Sequence, residues 1–187
     1  MSGRGTGRRE EMANGFCGAV FTARAPSLRL APRPGTRDAE SALAEARAHG
    51  LPRSGADAAR RNRVLEGLSL LWHDHGGLAH EIAQSDEGDP DHDLLHGLFH
   101  RREGDYGNAA YWFDRAGKHA CYPLLADRLS VLPLPPALRE TLLPGGAWSP
   151  AAFNAEVRAH ARGESAETLA MIQAEEFRAL AASLFRQ

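Results

Sequence analysis

Residues 63–119 contain a repeat at an offset of 30 residues, and a repeat limits architecture more than any single motif. Leu65-Glu66-Gly67-Leu68 falls on Leu95-His96-Gly97-Leu98, Val64 on Leu94, Ala79 on Ala109 and Ile82 on Trp112. The small residues carry the meaning. A glycine inside a helix costs about 1 kcal/mol against alanine, so it is kept where a neighbouring helix comes close. Gly67 with Ala79, and Gly97 with Ala109, are each 12 residues apart. That spacing allows a helix, a turn and a returning helix to meet at small side chains. The turn of the second unit falls at Glu103-Gly104-Asp105, and Gly76-Gly77 lie near that of the first.

Composition supports helix throughout. Aromatic residues are only 7% of the 187, alanine is abundant and β-branched residues are scarce. The expected fold is all-α: two helical hairpins packed with C-terminal helices, about eight helices in one domain spanning residues 36–187. Residues 1–35 are rich in Gly, Arg and Pro without periodicity, and read as a disordered basic tail. As a secretory leader, Phe16–Thr22 is a poor core, broken by Gly18 and preceded by Glu10-Glu11.

The helices are placed by their stop and start signals. Thr36 opens one running to His49, and Ser54 or Asp57 one running to Trp72. A returning helix spans 78–86. Residues 87–92 read as loop, with Asp91 capping a helix to Glu103 and His92 still in the loop. Asn108–Ala116, Pro123–Val131 and Ala137–Leu143 follow. Ser149-Pro150 is a strong helix start, and the last helix, 165–185, carries Leu169, Ile172, Phe177, Leu180 and Leu184 on one side.

Charge is uneven. The chain carries −2 overall, but residues 1–37 hold seven Arg against Glu10 and Glu11, a balance of +5 that leaves −7 for the rest. No nucleic-acid partner is expected for the folded part. Two cysteines give no disulfide framework, and a reducing, cytoplasmic setting fits them. No apolar run approaches the ~20 residues of a membrane span, so no membrane partner is expected.

Chemistry concentrates in the repeat. Seven of the nine histidines lie there. His92, His96 and His100 are four apart, and Glu103 follows three later on the same helical side. His-x-x-x-His is the spacing by which one helix offers two imidazoles to a metal. His73, Asp74 and His80 on the preceding elements are available to join them. Arg101-Arg102 beside Glu103 and Asp105 admits two readings: a bidentate grip on a carboxylate or phosphate, or internal ion pairs that fix the turn. The sequence therefore points first to a non-enzymatic scaffold. It would hold a small acidic ligand or a peptide on His73, Asp74, His80, His96, His100, Arg101, Arg102 and Glu103. The alternative is a hydrolase-like enzyme with a divalent metal on His96, His100 and Glu103.

Two resemblances accompany these readings. Gly97, Tyr106, Ala109, Phe113 and Ala116 stand at the small and aromatic positions of a tetratricopeptide-type hairpin, which the second unit resembles. It departs in period, 30 against 34 residues, and in having His96 and His100 at apolar positions. Tetratricopeptide geometry would put Val64, Leu68, Leu71, Trp72, Leu98, Arg101 and Arg102 on a concave binding face. Residues 68–180 are also similar to a bacterial and fungal family with no established activity. The resemblance rests on Trp72-His73-Asp74-His75, Ala79–Gln84, Leu94–Phe113, Trp148–Phe153 and Ile172–Phe177. The chain departs from that family at His75-Gly76-Gly77, where acidic residues are usual, and at Leu95 in place of Trp. That resemblance implies kinship without a mechanism.

Overall fold

The computed structural model describes residues 3–21, 25–30, 36–51 and 56–186. They form ten α-helices and one short 3-10 turn, with no strand among the described residues. Two hairpins sit at the centre. The first joins α3 (Ala56–Trp72) to α4 (Gly76–Gln84), and the second joins α5 (Pro90–Glu103) to α6 (Tyr106–Ala116). Gly67 and Gly97 are where these helices crowd. A Cβ on Gly67 would lie 2.4 Å from Leu95 and 3.2 Å from Ile82, and one on Gly97 would lie 2.5 Å from the Phe113 ring.

The turns differ in chemistry. Gly104, at φ 98°, ends α5 in the left-handed conformation and returns its N–H to the His100 carbonyl. Asp105 then caps α6 by accepting from the Asn108 N–H. In the first hairpin the left-handed position is filled by Asp74, at φ 69°. Its carboxylate is held by Arg102.

α5 is enclosed on all sides: every residue from Asp91 to Arg102 is buried. It packs against α3, α4 and α6. A helix this enclosed must satisfy its polar side chains internally, which sets the character of the candidate site. α5 begins earlier than its sequence suggests. Asp89 is the cap, accepting from the N–H groups of Asp91 and His92, and Pro90 occupies the first turn. His92, expected in a loop, is therefore a buried helical residue. The signal is the cap-then-proline pair that also opens α9.

Around this centre lie α2 (Ala39–His49), α7 (Cys121–Ser130), α8 (Pro136–Leu142), α9 (Pro150–His160) and α10 (Ala166–Arg186). α10 buries the expected Leu169, Ile172, Phe177, Leu180 and Leu184.

The main departure from expectation is at the start of the chain. Residues 3–20 form α1 (Gly3–Val20), packed on α10 and α2. Phe16, Val20, Phe21 and Leu28 are all buried. The Phe21 ring lies 4.6 Å from that of Trp72, and Phe16 5.9 Å from Phe185. Ala13, Phe16 and Val20, at i, i+3 and i+7, make a short apolar stripe inside a glycine-rich sequence. Its burial outweighs the poor helix propensity around it. Buried side chains also pin the following segment. Arg102 and Gln173 both donate to the Ser27 carbonyl, and the Leu30 N–H donates to the Arg102 carbonyl at 2.8 Å. Residues 1, 2, 22–24 and 31–35 of the expected tail lie outside the described residues. No described helix is long and apolar enough to cross a membrane.

Candidate metal centre

The eight residues singled out in the sequence separate into three groups. The first surrounds the α3–α4 turn. His73 is buried; its Nδ1 accepts from the Arg37 N–H at 3.2 Å, which leaves Nε2–H to donate to the Val20 carbonyl at 3.3 Å. Asp74 pairs with Arg102, whose guanidinium also donates to the Leu71 and Ser27 carbonyls. This group ties the chain start to the first hairpin.

The second group is the environment of Arg101. Its guanidinium is fully buried between the rings of Phe113 and Phe153, at 5.5 and 4.6 Å. It forms an ion pair with the buried Glu176 on α10. Burial raises the Glu176 carboxyl above its ordinary range, and Arg101 partly opposes that. A cavity of about 10 Å³ adjoins this pair, lined in part by Tyr122 and Trp148. The Tyr122 Oη and Trp148 Nε1 are buried without a protein partner. The space suits about one water. Neither arginine faces a concave surface. Val64, Leu68, Leu71, Trp72 and Leu98, expected to line one with them, are core residues as well. The tight-turn reading of the arginines describes Arg102, while Arg101 locks α5 to α10.

The third group converges. His80 on α4 and His96 and His100 on α5 each present a ligand nitrogen, and these atoms all lie within 4.8 Å of one another. His80 Nε2 and His96 Nε2 are 2.9 Å apart. His96 and His100 stack at 4.8 Å, and Trp112 stacks on the far side of His96 at 3.8 Å. Phe99 stacks on His80 at 4.4 Å. The rings are thus held by aromatic walls, with Arg115 outside Trp112 at 5.0 Å and anchored to Asp93 at 3.3 Å.

Helical geometry explains the convergence. His96 and His100 share a face because they are four apart, and that face lies between α4 and α6. His80 comes from α4, packed along the same side. Of the residues the sequence offered as additions to His96 and His100, His80 joins them, while His73 and Asp74 lie in the first group. Glu103 does not join the three nitrogens. Its side chain is 41% exposed and its Oε2 lies 3.5 Å from His100 Nδ1. Asn108, which the sequence did not single out, places its amide nitrogen 3.1 Å from His100 Nε2.

Burial disfavours the charged form of His96 and His100. Burial, with help from the neighbouring His100 and His80, lowers the His96 pKa from 6.5 to about 3. Burial lowers that of His100 too, against the pull of Glu103. The His96 Nδ1 is buried and has no protein partner. Neutral imidazole is the metal-binding form.

Asp86, Asp89 and His92 also lie close together at the start of α5. There Asp89 Oδ1 already accepts from two backbone N–H groups and from His92 Nδ1 at 3.0 Å, and Arg60 lies 3.4 Å from Oδ2. That carboxylate is committed to capping.

Comparison with protein-family models, curated proteins and solved structures finds no match.

Proposed function

We propose that this chain is a divalent transition-metal-binding protein whose ligands are His80, His96 and His100. The observation that carries the reading is the meeting of three buried or half-buried imidazoles from two helices within 4.8 Å. Zinc–nitrogen bonds of about 2.0–2.1 Å in a tetrahedral site put neighbouring donors roughly 3.4 Å apart. The His80–His96 pair, at 2.9 Å, would open slightly to reach that, and the remaining separations, at most 4.8 Å, would close toward it. An all-imidazole set suits Zn, Cu, Ni or Fe over Mg or Ca, which prefer oxygen ligands.

This reading takes three imidazoles from the scaffold expected in the sequence and leaves out His73 and the guanidiniums. Arg101 and Arg102 are paired with internal carboxylates, so an acidic ligand or peptide would have to break buried ion pairs to use them. The metal breaks no buried ion pair; it takes the place of the hydrogen bond between His80 Nε2 and His96 Nε2.

The test is metal analysis of protein purified without a histidine tag and reloaded with zinc. The expected result is one tightly held ion per chain, lost in His80→Ala, His96→Ala and His100→Ala and kept in His73→Ala. Unchanged stoichiometry in all three triad variants, with the fold intact by circular dichroism, would overturn the proposal.

A further inference from the structure

Three donors do not complete a zinc-type coordination shell, which takes four. Among the described residues, the cluster contains no fourth histidine, cysteine, aspartate or glutamate. The surroundings of His100 show what stands near the missing position. Glu103 Oε2 lies 3.5 Å from Nδ1, and the Asn108 amide nitrogen lies 3.1 Å from Nε2 and 3.4 Å from Nδ1. A metal-bound histidine donates its other ring N–H to a carboxylate, carbonyl or water, which fixes the ring and raises its basicity. With Glu103 at Nδ1, Nε2 is the nitrogen left for the ion. An ion there takes the lone pair that now faces the Asn108 amide, and leaves that amide beside the coordination sphere. His80 and Asn108 are half-buried, and the Glu103 side chain is 41% exposed, so this edge of the cluster reaches solvent.

Resting on the metal-binding reading above, we infer that the centre is an open one. Its fourth position is exchangeable and takes water or a small anion. Glu103 is the outer-shell partner of His100, and Asn108 is the positioning residue that hydrogen-bonds the exchangeable ligand. Either end of the amide serves, its nitrogen toward an anion and its oxygen toward a water proton. A centre of this form is the arrangement found where a bound metal presents water or a small molecule to chemistry, in contrast to the closed four-ligand sites that only brace a fold.

Cobalt(II) is the probe, because its visible absorption reports its ligands. The chain loaded with cobalt is titrated with sodium azide. The expected result is a saturable change in the visible band at one azide per cobalt. Glu103→Gln lowers cobalt affinity by about 10-fold or more. Asn108→Ala keeps cobalt affinity within about threefold while weakening azide several-fold, as expected for loss of one hydrogen bond. Both substitutions lie at or near the surface, and their melting curves establish that the fold is retained. If cobalt binds stoichiometrically but azide leaves the spectrum unmoved, the shell is closed and this inference fails while the metal-binding proposal stands. If cobalt does not bind, both fail. If Glu103→Gln binds cobalt as tightly as the parent, the outer-shell assignment fails.

Discussion

At the scale of single residues, the buried polar groups of α5 divide by what they touch. Arg101 is stacked between two aromatic rings and paired with Glu176. Removing one partner strands a buried charge, so Glu176→Ala is expected to cost about 3–5 kcal/mol in urea-monitored unfolding. The paired change Arg101→Met with Glu176→Leu should recover most of that loss, because neither charge is then left in the core. His96 gives a pH dependence of defined sign. Its folded pKa is depressed from 6.5 to about 3. Below pH 6.5 the unfolded chain takes up a proton that the folded chain refuses. The stability from this group is therefore complete above that pH and drains away as pH falls toward 3. The slope reaches about 1.4 kcal/mol per pH unit. Metal-free His96→Gln should show a flatter stability profile between pH 6.5 and 4; an unchanged profile would refute this origin of the slope.

At the scale of elements, the same residue type does opposite things in two helices. Gly97 sits where a Cβ would come 2.5 Å from the Phe113 ring, while at Gly7 and Gly18 of α1 nothing lies within 4 Å. Gly97→Ala should destabilise by about 1–3 kcal/mol through overpacking. Gly7→Ala and Gly18→Ala should each stabilise by about 0.5–1 kcal/mol, since a helical glycine with no packing duty only adds unfolded-state entropy. Thermal melts of the three variants distinguish the cases. The glycine–alanine pairing was legible in the sequence at the hairpins because a repeated small residue implies a close neighbour. In α1 the scattered glycines instead hid a helix, since Ala13, Phe16 and Val20 form a stripe too short to stand out.

At the scale of the molecule, the start of the chain belongs to the core. Phe16, Phe21 and Leu28 join Trp72, Phe177 and Phe185 in one apolar cluster. His73, Arg102 and Gln173 spend hydrogen bonds on carbonyls of residues 20 and 27. Deleting residues 1–35 should thus expose several large apolar side chains and leave buried donors without acceptors. The expected outcome is loss of a cooperative thermal transition; a deletion variant that melts with the parent would show that the start of the chain contributes nothing to the core.

Local pattern was enough to set the all-α class, both hairpins, the last helix and the shared face of His96 and His100, because each depends on spacings of three, four or seven along one segment. Partner choice was beyond its reach. Whether an arginine meets a ligand or an inner carboxylate, and whether a distant imidazole such as His80 closes on two others, depends on which helix faces come together. That is set by shape complementarity across the whole core, a sum over many residues far apart in the chain. Only the packed structure therefore buried Arg101 and Arg102 against inner carboxylates, drew in a segment that looked like a tail, and placed the third imidazole beside the other two.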